Sequence, residues 1–182
     1  MDSPYEWLRN LIEQVPDIVQ PLIVALAGAI PYIEGEGAAA FGIIAGINPI
    51  VAAIAGATGN ILCVFVVVFL GSRIRERIVS RRAKKPVLVG AGGPELPADE
   101  PETKPTRGAK GRATLRRWLV RFGVPGASIL APLALPTMLT AAFFVGSGVP
   151  KKWVMLWQII AIVLWTTLIA VAASGALALL GW

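Results

Sequence analysis

The chain has 182 residues, of which 55% are hydrophobic and 15% charged, with a mean hydropathy of +0.69; an ordinary soluble domain carries about 25% charged residues, so this composition excludes one. With no histidine and one cysteine, zinc and haem ligation, Ser-His-Asp and Cys-His catalysis and an intrachain disulfide are excluded too, and neither an enzyme nor a cofactor is expected. The net charge of +6 does not mark a nucleic-acid binder, because fourteen of the seventeen Lys and Arg residues fall between Arg73 and Arg121 among only five acids, the positive-inside signature of one cytoplasmic loop.

Residues 1–16 space Trp7, Leu8, Leu11, Ile12 and Val15 as one helical face, with Glu6, Arg9, Asn10, Glu13 and Gln14 between them. That pattern predicts an amphipathic helix lying at a membrane interface. Its acidic character departs from the basic start of a secretory leader. Residues 17–72 form a first membrane unit: apolar stretches 18–33 and 37–47 around Glu34 and Glu36, a break at Asn48-Pro49, and a spanning helix over 50–71. Cys63 within that span reads as a small hydrophobe. Residues 73–121 predict a basic helix, a Pro- and Gly-rich disordered linker and a second basic helix, all cytoplasmic. Residues 122–182 form a second membrane unit, an apolar stretch cut by Pro125, Pro132 and Pro136 followed by a span from Trp153 to about Ala176.

Charge fixes the topology of the second unit. Arg121 and the pair Lys151-Lys152 both belong inside, so residues 122–150 enter and leave on one face. Two full crossings need about 40 residues, so this segment is predicted to be a re-entrant hairpin turning near Pro132–Pro136. The first unit repeats the plan. Ala29-Ile30-Pro31 answers Ala134-Leu135-Pro136, Ala39-Ala40-Phe41 answers Ala141-Ala142-Phe143, and Pro49 answers Pro150 ahead of each span. The expected fold is an all-α polytopic membrane protein of two inverted repeats, each a re-entrant helical hairpin plus a transmembrane helix. So thin a bundle is expected to form a homodimer in the cell membrane.

Glu34 and Glu36 are the only charged residues from Ile18 to Ser72. An ionised carboxylate near the bilayer centre costs at least about 2.5 kcal/mol, and loss of water favours a carboxyl group's neutral form. A pair placed there can exchange protons or meet a cation as access alternates; placed on a short outer loop it would do little. The candidate substrate or proton site comprises Glu34 and Glu36 with Pro31, Gly35 and Gly37, and Pro132, Pro136, Thr137 and Thr140 from the second hairpin. Gly35 and Gly37 are read as letting backbone and ligand approach, and the two threonines either as capping freed backbone groups or as lining the site. Asn60 and Gln158 are expected to hydrogen-bond neighbouring helices, and Gly42, Gly46, Gly56 and Gly59 to permit close helix contact. Arg73, Arg117 and Arg121 are candidates for lipid head-group contact.

"PYIEGE" followed by "GIIAG", and "FGVPGASILAPLALPTMLTAAFFVGSGVP" with the helix after it, resemble the two re-entrant motifs of the DedA/VTT superfamily, and most closely its small multidrug export protein branch. The resemblance covers about residues 17–72 and 120–178. Glu36 matches the acidic position of the motif. Glu34 stands where the superfamily has a second proline, and no arginine follows Pro132 or Pro136 at the superfamily's spacing. The resemblance implies a secondary transporter, with proton-coupled export of a small lipophilic or cationic substrate, or a flippase of phospholipid or a polyprenyl phosphate carrier. A non-transport scaffold that recruits a partner through the basic linker is the third reading. The expected partners are membrane lipids and the substrate, and no nucleic acid.

Overall fold

A computed structural model describes residues 15–83 and 122–181. The predicted interfacial helix apart from residues 15 and 16, the linker, Arg117 and Arg121 lie outside the described residues. Every regular element described is a helix: α1 (Gln20–Gly28), α2 (Glu34–Ile44), α3 (Pro49–Ala83), α4 (Phe122–Leu133, closing in a 3-10 turn), α5 (Thr137–Gly146) and α6 (Lys151–Leu179).

The breaks follow from local chemistry. Proline opens two helices where its missing N–H costs nothing, Pro21 in the first turn of α1 and Pro49 at the head of α3, and Pro132 sits in the 3-10 turn that closes α4. Asn48 caps α3, its Oδ1 accepting the amides of Ile50 and Val51 at 3.0 and 3.4 Å. α2 and α5 end alike. Gly46 (φ +92°) and Gly148 (φ +93°) take the left-handed conformation, and the next residue's amide reaches back five positions, Ile47 to Gly42 O at 2.9 Å and Val149 to Phe144 O at 3.0 Å. This is the glycine-terminated helix end in which freed carbonyls are satisfied before the chain turns. Gly46 therefore serves a turn, since no neighbour lies within 4 Å of where its Cβ would be; the expectation that it allowed helix contact is corrected. The turns Ala29–Ile33 and Ala134–Pro136, which carry the matching Ala-x-Pro triplets, each separate two short apolar helices.

α3 and α6 are the two helices long and apolar enough to cross a membrane. At 35 and 29 residues they extend about 52 and 44 Å. Only 33% of each apolar window is buried, and the outward residues include Leu62, Phe65, Val66, Leu164 and Leu168. The core helix of a soluble protein would bury most of such a window.

Two apolar clusters pack against this pair at opposite ends. One joins Val24 of α1, Ala38 and Ile43 of α2, Ala52 and Ala55 near the start of α3, and Ala170 late in α6. The other joins Val64 and Val68 further along α3, Val124 and Ala127 of α4, Met138 and Phe144 of α5, and Val154 and Ile162 early in α6. The long helices are thus antiparallel, as Lys151 Nζ, 5.4 Å above the Phe69 ring, also shows. Between the clusters lie Asn60, midway along the apolar stretch 50–71 of α3, and Thr166, midway along α6.

Small residues bring α1 onto α3. A Cβ on Gly59 would overlap the Ala25 carbonyl, and one on Gly28 would overlap that of Gly56, so the two backbones are in contact. Gly59→Ala is expected to cost about 1–3 kcal/mol through this backbone clash. Gly175→Ala, also helical but with nothing within 4 Å of its Cβ position, is expected to be neutral or slightly stabilising. Thermal melts in detergent check the pair: equal melting temperatures would show that α1 does not sit on α3 this way.

Candidate functional site

The site forms where the first turn of α2 meets the first turn of α5. Glu34 is buried, 6% exposed, and has a left-handed backbone, φ +54°, as does its neighbour Tyr32 at φ +73°. For a residue with a Cβ this conformation costs roughly 1–2 kcal/mol. What holds Glu34 there is visible across the molecule: its Oε1 accepts the Thr137 amide at 2.6 Å and the Thr137 hydroxyl at 2.8 Å.

Those bonds cap α5 from a distance. The residue before its first turn is Pro136, whose side chain offers no acceptor, so the helix starts with buried amides that need a partner. A carboxylate meets that need and sits at the positive end of the helix dipole. Thr137 Oγ1 also lies 3.1 Å from Asn60 Oδ1, yet one hydroxyl proton cannot serve two acceptors. Asn60 Nδ2 meanwhile lacks a partner. Turning the amide over frees the Thr137 proton for Glu34 and lets Nδ2 donate to Thr137 Oγ1, with Oδ1 then in the unpartnered position. The order Asn60–Thr137–Glu34 then ties α3, α5 and α2 together.

Beside this knot, Tyr32, Glu34 and the run Pro132–Pro136 line an open cavity of about 250 Å³. Its lining holds one acid, one phenol and no base. Glu36 is different in kind. Both its carboxylate oxygens are enclosed, and no other described residue donates a hydrogen bond to either. Between the two acids, Gly35 faces the long helices: a Cβ there would crowd Thr166 Oγ1 and lie 3.3 Å from the Ala57 backbone. The carboxylates therefore sit level with the middle of α6.

The structure brings together Glu34, Pro132, Pro136 and Thr137 as the sequence suggested. Other expectations change. Gly35 and Gly37 lie inside α2; Gly35 serves helix packing, and the Cβ position of Gly37 meets side chains of its own segment, Ile33 and Phe41. Pro31 is exposed in the turn, and Tyr32 lines the cavity in its place. Thr140 donates back to the Pro136 carbonyl at 3.1 Å, which its own amide already reaches at 3.0 Å, so it neither caps a freed group nor lines the cavity. Arg73 stands exposed on α3 near Glu76, Arg77 and Ser80, thirteen residues beyond Asn60 and so about 20 Å along the helix. Cys63 packs with its sulfur 3.5 Å from that of Met138. Sequence reasoning missed Tyr32, whose aromatic ring beside an acidic motif was the available signal. It also expected Gln158 to bond a neighbouring helix, but among the described residues both polar atoms of its buried amide lack a partner.

No family model matches the chain, and no curated protein or solved structure shows significant similarity to it.

Proposed function

We propose that the chain is an integral membrane secondary transporter of the DedA-like, small multidrug export type, coupling proton movement to export of lipophilic or cationic small molecules. In this reading α1–α2 and α4–α5 are re-entrant hairpins, α3 and α6 are the two crossings, and the halves are inverted repeats with residues 73–121 cytoplasmic. The observation that carries it is Glu36, a carboxylate enclosed without a hydrogen-bond donor beside Glu34, midway along the apolar stretches of two long helices. Burying such a group without a partner is expensive, and a fold that needed only Glu34 as a cap would have no reason to hold a second acid there. The matching turns at Gly46 and Gly148 and the broken helices meeting midway along those stretches favour the inverted-repeat architecture, in which binding groups collect at such breaks.

The cavity lining favours a cation over an anionic lipid phosphate. Its one charged side chain is Glu34, and the α5 N-terminus, otherwise suited to an anion, is already filled by that carboxylate. A scaffold would use Glu34 as the α5 cap but has no use for Glu36. Purified protein in liposomes is expected to accumulate ethidium, a lipophilic cation, when a pH gradient is imposed, and to stop when the gradient is dissipated with an ionophore. Uptake equal to that of protein-free liposomes would overturn the reading.

A further inference from the structure

Besides Glu36, several buried polar atoms have no partner among the described residues: Gln158 Oε1 and Nε2, Thr166 Oγ1, Ser128 Oγ and Trp157 Nε1. Gln158, Ser128 and Thr166 are at most 1% exposed. Each such atom forfeits roughly 1–3 kcal/mol if left dry, and native interiors hold only a few per hundred residues. Thr166 shows the choice most clearly. Elsewhere the buried and half-buried helix hydroxyls of Thr140 and Ser174 bond the carbonyl four residues back, at 3.1 and 2.8 Å; Thr166 does not, and its hydroxyl crowds Gly35 between the two acids instead.

Two of these groups share one face of α6. Gln158 and Thr166 share the buried stripe of α6 that also carries Val154, Ile162 and Ala170, and they are eight residues, about 12 Å, apart. Ser128 precedes the α4 carbonyl, that of Ile129, which accepts Trp165 Nε1 at 2.8 Å, so α4 is pinned to α6 beside it. Gln158 lies seven residues from Lys151 at the head of α6, where Lys151 and Lys152 are exposed, and Thr166 lies next to the Glu34–Glu36 turn. Gln158 and Thr166 thus stand roughly four hydrogen-bonded water lengths apart on the face of α6 that leads from Lys151 to the Glu34–Glu36 turn, with Val154 and Ile162 interleaved on the same stripe. Among the described residues α1, α4 and α5 add no titratable side chain, the apolar part of α3 adds Cys63, and α6 adds its two leading lysines; Glu34 and Glu36 are the acids this face reaches.

We propose that Gln158, Ser128 and Thr166 form a proton inlet, a file of water that links the Lys151 end of α6 to Glu36. The amide and hydroxyls each donate and accept, which is what a water file needs from its walls, and none carries a charge that would trap the proton. The inlet deepens the proton-coupled reading and rests on it.

The test compares the parent, Gln158→Leu and Ser128→Ala in liposomes by two readouts: ethidium uptake driven by a pH gradient, and ethidium counterflow at equal pH. It adds a third that needs no transport, the rate at which the protonated carboxyl band assigned by Glu36→Gln exchanges with deuterium in the infrared. Gln158→Leu is expected to lower gradient-driven uptake and carboxyl exchange at least tenfold while counterflow stays within twofold; Ser128→Ala is expected to lower the first two about threefold, and it still reads the inlet if Gln158→Leu fails to fold. Unchanged uptake and exchange in both variants would overturn the inlet while leaving proton coupling intact, and so would parallel loss of uptake and counterflow with normal exchange. A parent without gradient-driven uptake would instead sink the transporter reading, and carboxyl exchange unaffected by Gln158→Leu would then sink the inlet too.

Discussion

Glu36→Gln is expected to abolish gradient-driven ethidium uptake in liposomes and to leave the protein folded. The substitution keeps the shape of a side chain whose oxygens are enclosed and removes its ability to take up and release a proton. Its stability effect has a definite sign. A buried carboxylate without a donor costs more than a buried amide, so the variant should melt at the parent's temperature or above it. That combination, a loss of transport without a loss of stability, separates a proton carrier from a structural residue. A variant that transports like the parent would show that the coupling group is elsewhere, and the two acids would then be parts of the fold alone.

Glu34→Ala is expected to do the opposite, lowering stability by roughly 2–4 kcal/mol. It removes the acceptor of both Thr137 bonds and leaves buried donors at the start of α5 unsatisfied, a loss comparable to a missing N-cap plus an orphaned group. Glu34→Gln keeps an oxygen for Thr137 but gives up the charge facing the helix dipole, worth up to about 2 kcal/mol in partly buried geometry, so it should fall between parent and Glu34→Ala. Chemical or thermal denaturation in detergent ranks the three. If Glu34→Ala were as stable as the parent, the contact between α2 and α5 would not hold the halves together.

The contrast between these neighbours shows where the sequence could be read and where it could not. The two long helices were legible because length and hydropathy set them without reference to the rest of the chain, and the breaks near Pro31, Pro49, Pro132, Pro136 and Pro150 were legible because proline acts locally. The acidic pair was conspicuous for the same reason: nothing else from Ile18 to Ser72 carries charge. Its division of labour was not legible, because it depends on a partner 103 residues away. Glycine pattern misled for a related reason. Left-handed backbone near the acids falls on Tyr32 and Glu34, and Glu34 is held by bonds to Thr137 that local propensity does not encode, while Gly35 is spent on helix contact. Gln158 looked like an ordinary interhelical donor; only its neighbours reveal that nothing answers it.

The two apolar clusters have a consequence for leakage. One closes the Val24–Ala170 side of the central acids to ions, the other closes the Val64–Val154 side to all but the protons the proposed inlet would pass, and no residue belongs to both. In a membrane they would act as two insulators in series with the acids between them. Loosening either one alone would admit ions to the acids from that side while the other still blocks them from crossing. Because each draws on its own pair of short helices and shares only the two long ones, one insulator can be disturbed without breaching the second, and the barrier is lost only when both fail together.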